Sequence, residues 1–131
     1  MTGVQTCALP ISNSFVQTNL LTYSQEFDNA AWTKSNTSVT ANATTAPDGS
    51  STADALIPLA TNATHRIQET AASSGAITYS LYAKANGYTK IGIWDYATTG
   101  AYASYDLSST GTVLASGVGA SSAAITALAN G

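Results

Sequence analysis

Tyr82, Trp94, Tyr96 and Tyr102 are the residues of this 131-residue chain whose types and spacing best suit them to binding chemistry. Trp and Tyr rings join a flat apolar body to a polar tip. Each of the four falls on the polar side of a run in which apolar and polar residues alternate. Rings so placed can stack on the C–H face of a sugar. Arg66 and Gln68, on the polar side of an earlier run, add a guanidinium and an amide that could bond sugar hydroxyls. Exposed aromatics on strands are common, so each ring also has a plainer reading as a side chain covered by a loop or a neighbouring subunit. The candidate ligand surface is therefore Trp94, Tyr96, Tyr82 and Tyr102, with Arg66 as a polar clamp.

Catalysis has little to work with. General acid–base chemistry wants a histidine or paired carboxylates, and covalent catalysis wants a nucleophile beside an oriented base. The single histidine, His65, adjoins Arg66, with no serine elbow, HExxH or DxD spacing around it. It reads as a surface strand residue, and the chain as a non-enzyme. One histidine and one cysteine cannot make a zinc site. Asp28, Asn29, Asp48 and Asp54 lie near turns whose carbonyls could join them around a hard cation, but no EF-hand pattern is present. Solvated turn residues are expected, with a structural calcium as the one cofactor these side chains would allow. Lys34, Arg66, Lys84 and Lys90 are the only strong cations in a chain of net charge −3. Nucleic-acid affinity rests largely on Lys and Arg, so nucleic acid is not an expected partner. No apolar run approaches membrane-spanning length, and no membrane insertion is expected. Three Asn-x-Ser/Thr triplets, at Asn36, Asn42 and Asn62, read as chance products of an Asn/Thr-rich chain rather than glycan acceptors.

The elements that must hold these residues centre on AITYSLYAKANGYTKIGIWDY, residues 76–96. In its first run Ile77, Tyr79, Leu81 and Ala83 share one face, while Thr78, Ser80, Tyr82 and Lys84 share the other. In its second run Ile91 and Ile93 oppose Lys90, Gly92, Trp94 and Tyr96. Asn86-Gly87 between them is a strong turn signal. A two-residue loop would pair Ala85 with Tyr88 and Leu81 with Gly92, which splits the apolar residues between two faces. The expectation is a connection shifted by one residue in register, or one that crosses between two sheets.

Other strands are expected at 19–24, 37–41, 52–57, 64–70, 101–107, 112–115 and 123–128, with residues 26–32 as a single helical turn anchored by Trp32. Pro47-Asp48-Gly49 is a turn in which Pro presets φ and Gly accepts a positive value. Some eight short strands at regular spacing argue for an all-β sandwich or barrel in one domain. Residues 1–11, MTGVQTCALPI, resemble the translation of a sequencing-library adapter fused to the reading frame, and so stand outside the natural fold. Residues 12–18 read as a polar leader.

From Asn19 onward the chain resembles a domain found in phage virion proteins and their metagenomic relatives. The residues that carry the likeness are NLLTYSQEFDNAAW, TAPDGSSTAD, THRIQ, YSLYAKA and YDLSSTGTVL. Such domains look like carbohydrate-binding modules and occur in head-spike and tail-fibre proteins. The resemblance implies an antiparallel two-sheet jelly-roll sandwich of galactose-binding-like kind over residues 19–131. It also implies a non-catalytic role and a virion location, extracellular once assembled. The partners it implies are host-surface glycan or other virion subunits, with a homo-oligomer in the full-length protein. Relatives continue into a further aromatic-bearing strand where this chain stops, so the domain is expected to be a fragment lacking its last strand.

Overall fold

The computed structural model describes residues 18–96 and 101–129. Residues 1–11 and all but Thr18 of the leader lie outside that range. The fold is all-β. Its seven strands are β1 Thr33–Ser35, β2 Thr37–Thr44, β3 Ala53–Pro58, β4 Arg66–Gln68, β5 Lys90–Asp95, β6 Ala101–Asp106 and β7 Thr112–Ser116. They form three antiparallel sheets: β1 with β4, β2 with β3, and β5-β6-β7.

The β2–β3 hairpin shows how local chemistry sets an element. Thr37, Val39, Thr40 and Thr44 supply β-branched side chains. The turn closes with a Gly49 amide bond to the Ala46 carbonyl at 3.0 Å and an Ala46 amide bond to the Ser50 carbonyl at 2.7 Å. Gly49 takes the positive φ (88°) expected of it, and Asp48 accepts from the Ser50 amide at 2.9 Å. Register runs from Thr37 opposite Pro58 to Thr40 opposite Ala55, then slips so that Thr44 faces Ala53. Asn42 sits in that irregularity at φ 54°, and Asn36 turns the chain from β1 into β2 at φ 50°. Asn tolerates this left-handed region better than other non-glycine residues. Two of the three Asn-x-Ser/Thr asparagines therefore have a backbone reason to be there.

The interior gathers around Trp32, the one buried hydrophobic side chain among the described residues, at 9% exposure. Its ring meets Phe27 edge-on, centroids 5.0 Å apart, and its indole N–H donates to the Tyr23 carbonyl at 2.8 Å. The stretch before β1 is a chain of turns. The Glu26, Asn29 and Trp32 amides each bond the carbonyl three residues back. Asp54 on β3 fastens these turns to the hairpin, one oxygen accepting from the Phe27 amide (2.8 Å) and the other from the Asn42 amide (2.9 Å). Charge-assisted bonds of this kind contribute roughly 1.5–3 kcal/mol each. Asp54→Ala is expected to lower stability by about 2–3 kcal/mol, read as a shift of the urea midpoint, and Asp54→Asn by less because one acceptor remains.

Three strand expectations are corrected. Residues 19–24 form turns, because the Asn19 carboxamide captures the Leu21 amide at 3.0 Å and the Ser24 hydroxyl at 2.8 Å. Such local side-chain bonds compete with a ladder. Residues 76–85 carry no regular secondary structure despite their alternation. Residues 123–128 likewise form no strand, and Ile125 packs under the β6–β7 loop. A Cβ on Gly111, itself at φ 79°, would stand 2.7 Å from the Ile125 Cδ1. The Glu26–Trp32 segment is turns rather than a helical turn, although Trp32 anchors it as expected. β1 has no counterpart among the expected strands. Inner-face residues Ile91, Ile93, Ala103 and Tyr105 are half-buried.

Candidate functional site

β5 and β6 present the aromatic face. Their register sets Lys90 opposite Asp106, Gly92 opposite Ser104 and Trp94 opposite Tyr102. Successive side chains on a strand point to opposite faces, so these six share one face, while Ile91, Ile93, Ala103 and Tyr105 share the other. Exposure alternates without a break from Tyr88 to Tyr96. Trp94 is 66% exposed and Tyr96 87%, their ring centroids 6.2 Å apart and tilted by 53°. Tyr102, directly across the ladder from Trp94, is 41% exposed. Three of the expected ligand residues are thus brought onto one sheet face.

The other two are placed elsewhere. Tyr82 is exposed, but stands in the irregular segment and lines a shallow hollow with Pro47, Leu128 and Ala129. Arg66 is exposed on β4, opposite Ser35, in the sheet that β4 forms with β1. Its strand was legible from alternation, but its separation from the rings was not, since strand partners are chosen by non-local pairing.

Tyr88 extends the row that sequence reasoning began at Lys90. With Pro58, Leu59, Asn62, His65 and Lys90 it lines an open groove of about 620 Å³. One further step of the period-two pattern, from Lys90 back to Tyr88, is the signal that would have found it. His65 itself is occupied with the loop: its Nε2 faces the Leu59 carbonyl at 3.1 Å and its Nδ1 the Ala63 carbonyl at 3.3 Å.

At the Lys90 end of the face, the Ser108 hydroxyl and amide (the latter at 2.9 Å), and then the Lys90 ammonium 3.8 Å away, hold the Asp106 carboxyl below its ordinary range. The Ser50 hydroxyl and amide do the same for Asp48. A lowered folded-state value means that the unfolded chain takes up the proton more readily. The stabilisation is complete above the ordinary carboxylate value of about 3.9 and is lost as pH falls through the lower folded values. Melting temperature is therefore expected to drop below about pH 4, and a double Asp48→Asn, Asp106→Asn variant to show a smaller drop.

The four candidate calcium ligands are not drawn together. Asp48 serves its own turn, Asp54 binds two amides, Asn29 accepts from the Ala31 amide, and the Asp28 carbonyl accepts from Lys34. Among the described residues no group of three His, Cys, Asp or Glu side chains is placed to hold a metal ion. Nor is any helix there long and apolar enough to cross a membrane. Comparison with protein-family models, with curated proteins and with solved structures finds no match for this chain.

Proposed function

We propose that this chain is a non-catalytic binding module of a phage spike or fibre protein, holding host-surface glycan on the β5–β6 face. The observation that carries the reading is the ring pair Trp94–Tyr96, tilted and solvent-exposed above its cross-strand neighbour Tyr102. Leaving large rings in water gives up burial of about 25 cal/mol per Å² of apolar surface, so a flat ligand that covers them recovers free energy. Ser104, Lys90 and Asp106 on the same face offer hydroxyl, ammonium and carboxylate partners for sugar hydroxyls. In this reading the three sheets are parts of a jelly-roll sandwich, and the module acts outside the cell on the virion.

A second reading has the rings packing against sister chains in a purely structural virion domain. Val113 and Leu114 on the edge strand β7 favour it, being 40% and 48% exposed. A glycan-array screen of the full chain, with light scattering in parallel, separates the two. Glycan binding by a monomer supports the module, whereas no binding by a folded protein that self-associates supports the structural domain.

A further inference from the structure

We infer that the ligand of this face is an extended, uncharged oligosaccharide, lying along β5 from Trp94 past Lys90 into the groove lined by Tyr88, and not a single terminal sugar. The inference rests on the proposed function and names the ligand class of the same site. Lys90 carries it, because Lys90 belongs to both places: it stands opposite Asp106 on the aromatic face and lines the groove with Tyr88, Leu59, Asn62 and His65. Strand pairing does not stop at Lys90. The Leu107 amide donates to the Thr89 carbonyl at 2.6 Å, so the β5–β6 pairing runs on towards Tyr88. Tyr88 keeps the period-two side of Lys90, Gly92 and Trp94, and is 68% exposed.

Length is what this row adds. From Tyr88 to Trp94 the chain covers roughly 20 Å at about 3.3 Å per residue. A lone pyranose is about as wide as an aromatic ring and covers only an end of that path, so several linked sugars are needed to reach both. The ground between the rings suits a chain. Gly92 has no side chain and stands opposite the small Ser104, so the floor drops between the Trp94–Tyr102 pair and the Lys90–Asp106 pair. A chain crossing there meets the Ser104 hydroxyl first, then the Lys90 ammonium and the Asp106 carboxylate.

The far wall of the groove is fixed by its own hydrogen bonds. The Asn36 carbonyl accepts from the Leu59 amide at 2.9 Å and the Asn36 carboxamide donates to the Thr64 carbonyl at 3.0 Å, so one residue holds both ends of the 59–64 loop. His65 ties the same loop from within, through the Leu59 and Ala63 carbonyls. A wall set before the ligand arrives leaves less to order on binding. The groove's volume of about 620 Å³ is in the range usual for small-ligand sites, and Asn62 and Lys90 supply amide and ammonium groups for sugar hydroxyls. The Lys90 charge is already met by Asp106 at 3.8 Å, which favours an uncharged chain over an acidic one.

Calorimetric titration of the full chain with disaccharides and hexasaccharides of glucose, mannose and N-acetylglucosamine tests the inference. In a series that binds, the hexasaccharide is expected to bind about tenfold tighter than the disaccharide. Tyr88→Ala, at an exposed position, is expected to erase most of that gain while leaving the disaccharide within about twofold of its parent value. Trp94→Ala should weaken both lengths. Equal affinity for the two lengths, or a length gain that survives Tyr88→Ala, overturns the extended-chain inference and leaves the proposed function standing. Binding in none of the series by a folded parent overturns the inference, and with no hit on the glycan array either, the proposed function falls with it. Self-association that Tyr88→Ala disperses gives the groove to a second copy of the chain and likewise overturns the inference.

Discussion

Trp94→Ala is expected to weaken glycan binding by about 2 kcal/mol, roughly thirtyfold in Kd, while leaving the denaturation midpoint nearly unchanged. The asymmetry follows from where the ring stands. At 66% exposure it contributes little to the folded core, and its free area is available to a ligand. A buried Trp ring removes roughly 150–250 Å² from water. Covering the exposed part of Trp94 with a sugar face is worth about 2 kcal/mol at about 25 cal/mol per Å². Titration of the best glycan-array ligand against parent and variant measures the loss, and circular dichroism checks the fold. Equal affinity in a folded variant would move the rings to the structural reading, where the same substitution should instead weaken self-association. Tyr96→Ala is a second arm on the same ring pair, useful because Tyr96 lies just past the end of β5 and is nearly free of packing.

Trp32→Ala acts in the opposite sense, on stability rather than binding. Truncating a buried Trp typically costs about 3–5 kcal/mol. Small domains have only about 5–15 kcal/mol in total, and here no other hydrophobic side chain among the described residues is buried. The substitution removes the edge-on contact with Phe27 and leaves the Tyr23 carbonyl without its indole donor. Urea unfolding followed by far-UV circular dichroism should show a midpoint shift of that size, or no folded baseline. Trp32→Phe keeps an aromatic body but loses the hydrogen bond and part of the buried ring, so an intermediate loss of about 1–3 kcal/mol is expected. If Trp32→Ala unfolds at the parent's midpoint, the interior does not depend on this residue and stability resides in the ladders.

These two tryptophans show how much a side chain's neighbourhood decides. The pattern around Trp94 was legible, because a residue flanked by Ile93 and Asp95 in a period-two run must share a face with Gly92 and Tyr96. Trp32 was legible as an anchor from its place at the end of an Asp/Asn-containing turn, although its partners Phe27 and Tyr23 were not. Arg66 marks the limit: its strand could be read, but the sheet to which that strand belongs could not.

The sequence by itself determined the approximate positions of strands with clear alternation or β-branched content, expected at 37–41, 52–57, 64–70, 90–96, 101–107 and 112–115. It also determined the Pro47-Asp48-Gly49 turn and the shared face of Trp94 and Tyr96. These follow from properties carried within a few residues: side-chain direction, proline's fixed φ and glycine's freedom. Only the tertiary structure decided that β1 exists to pair with β4, that β5 lies against β6 with Trp94 opposite Tyr102, and that Arg66 stands on another sheet. It also decided that residues 19–24 spend their polar groups on Asn19 instead of a ladder. A strand becomes one only when another segment accepts its hydrogen bonds, and that choice depends on partners far away in the chain.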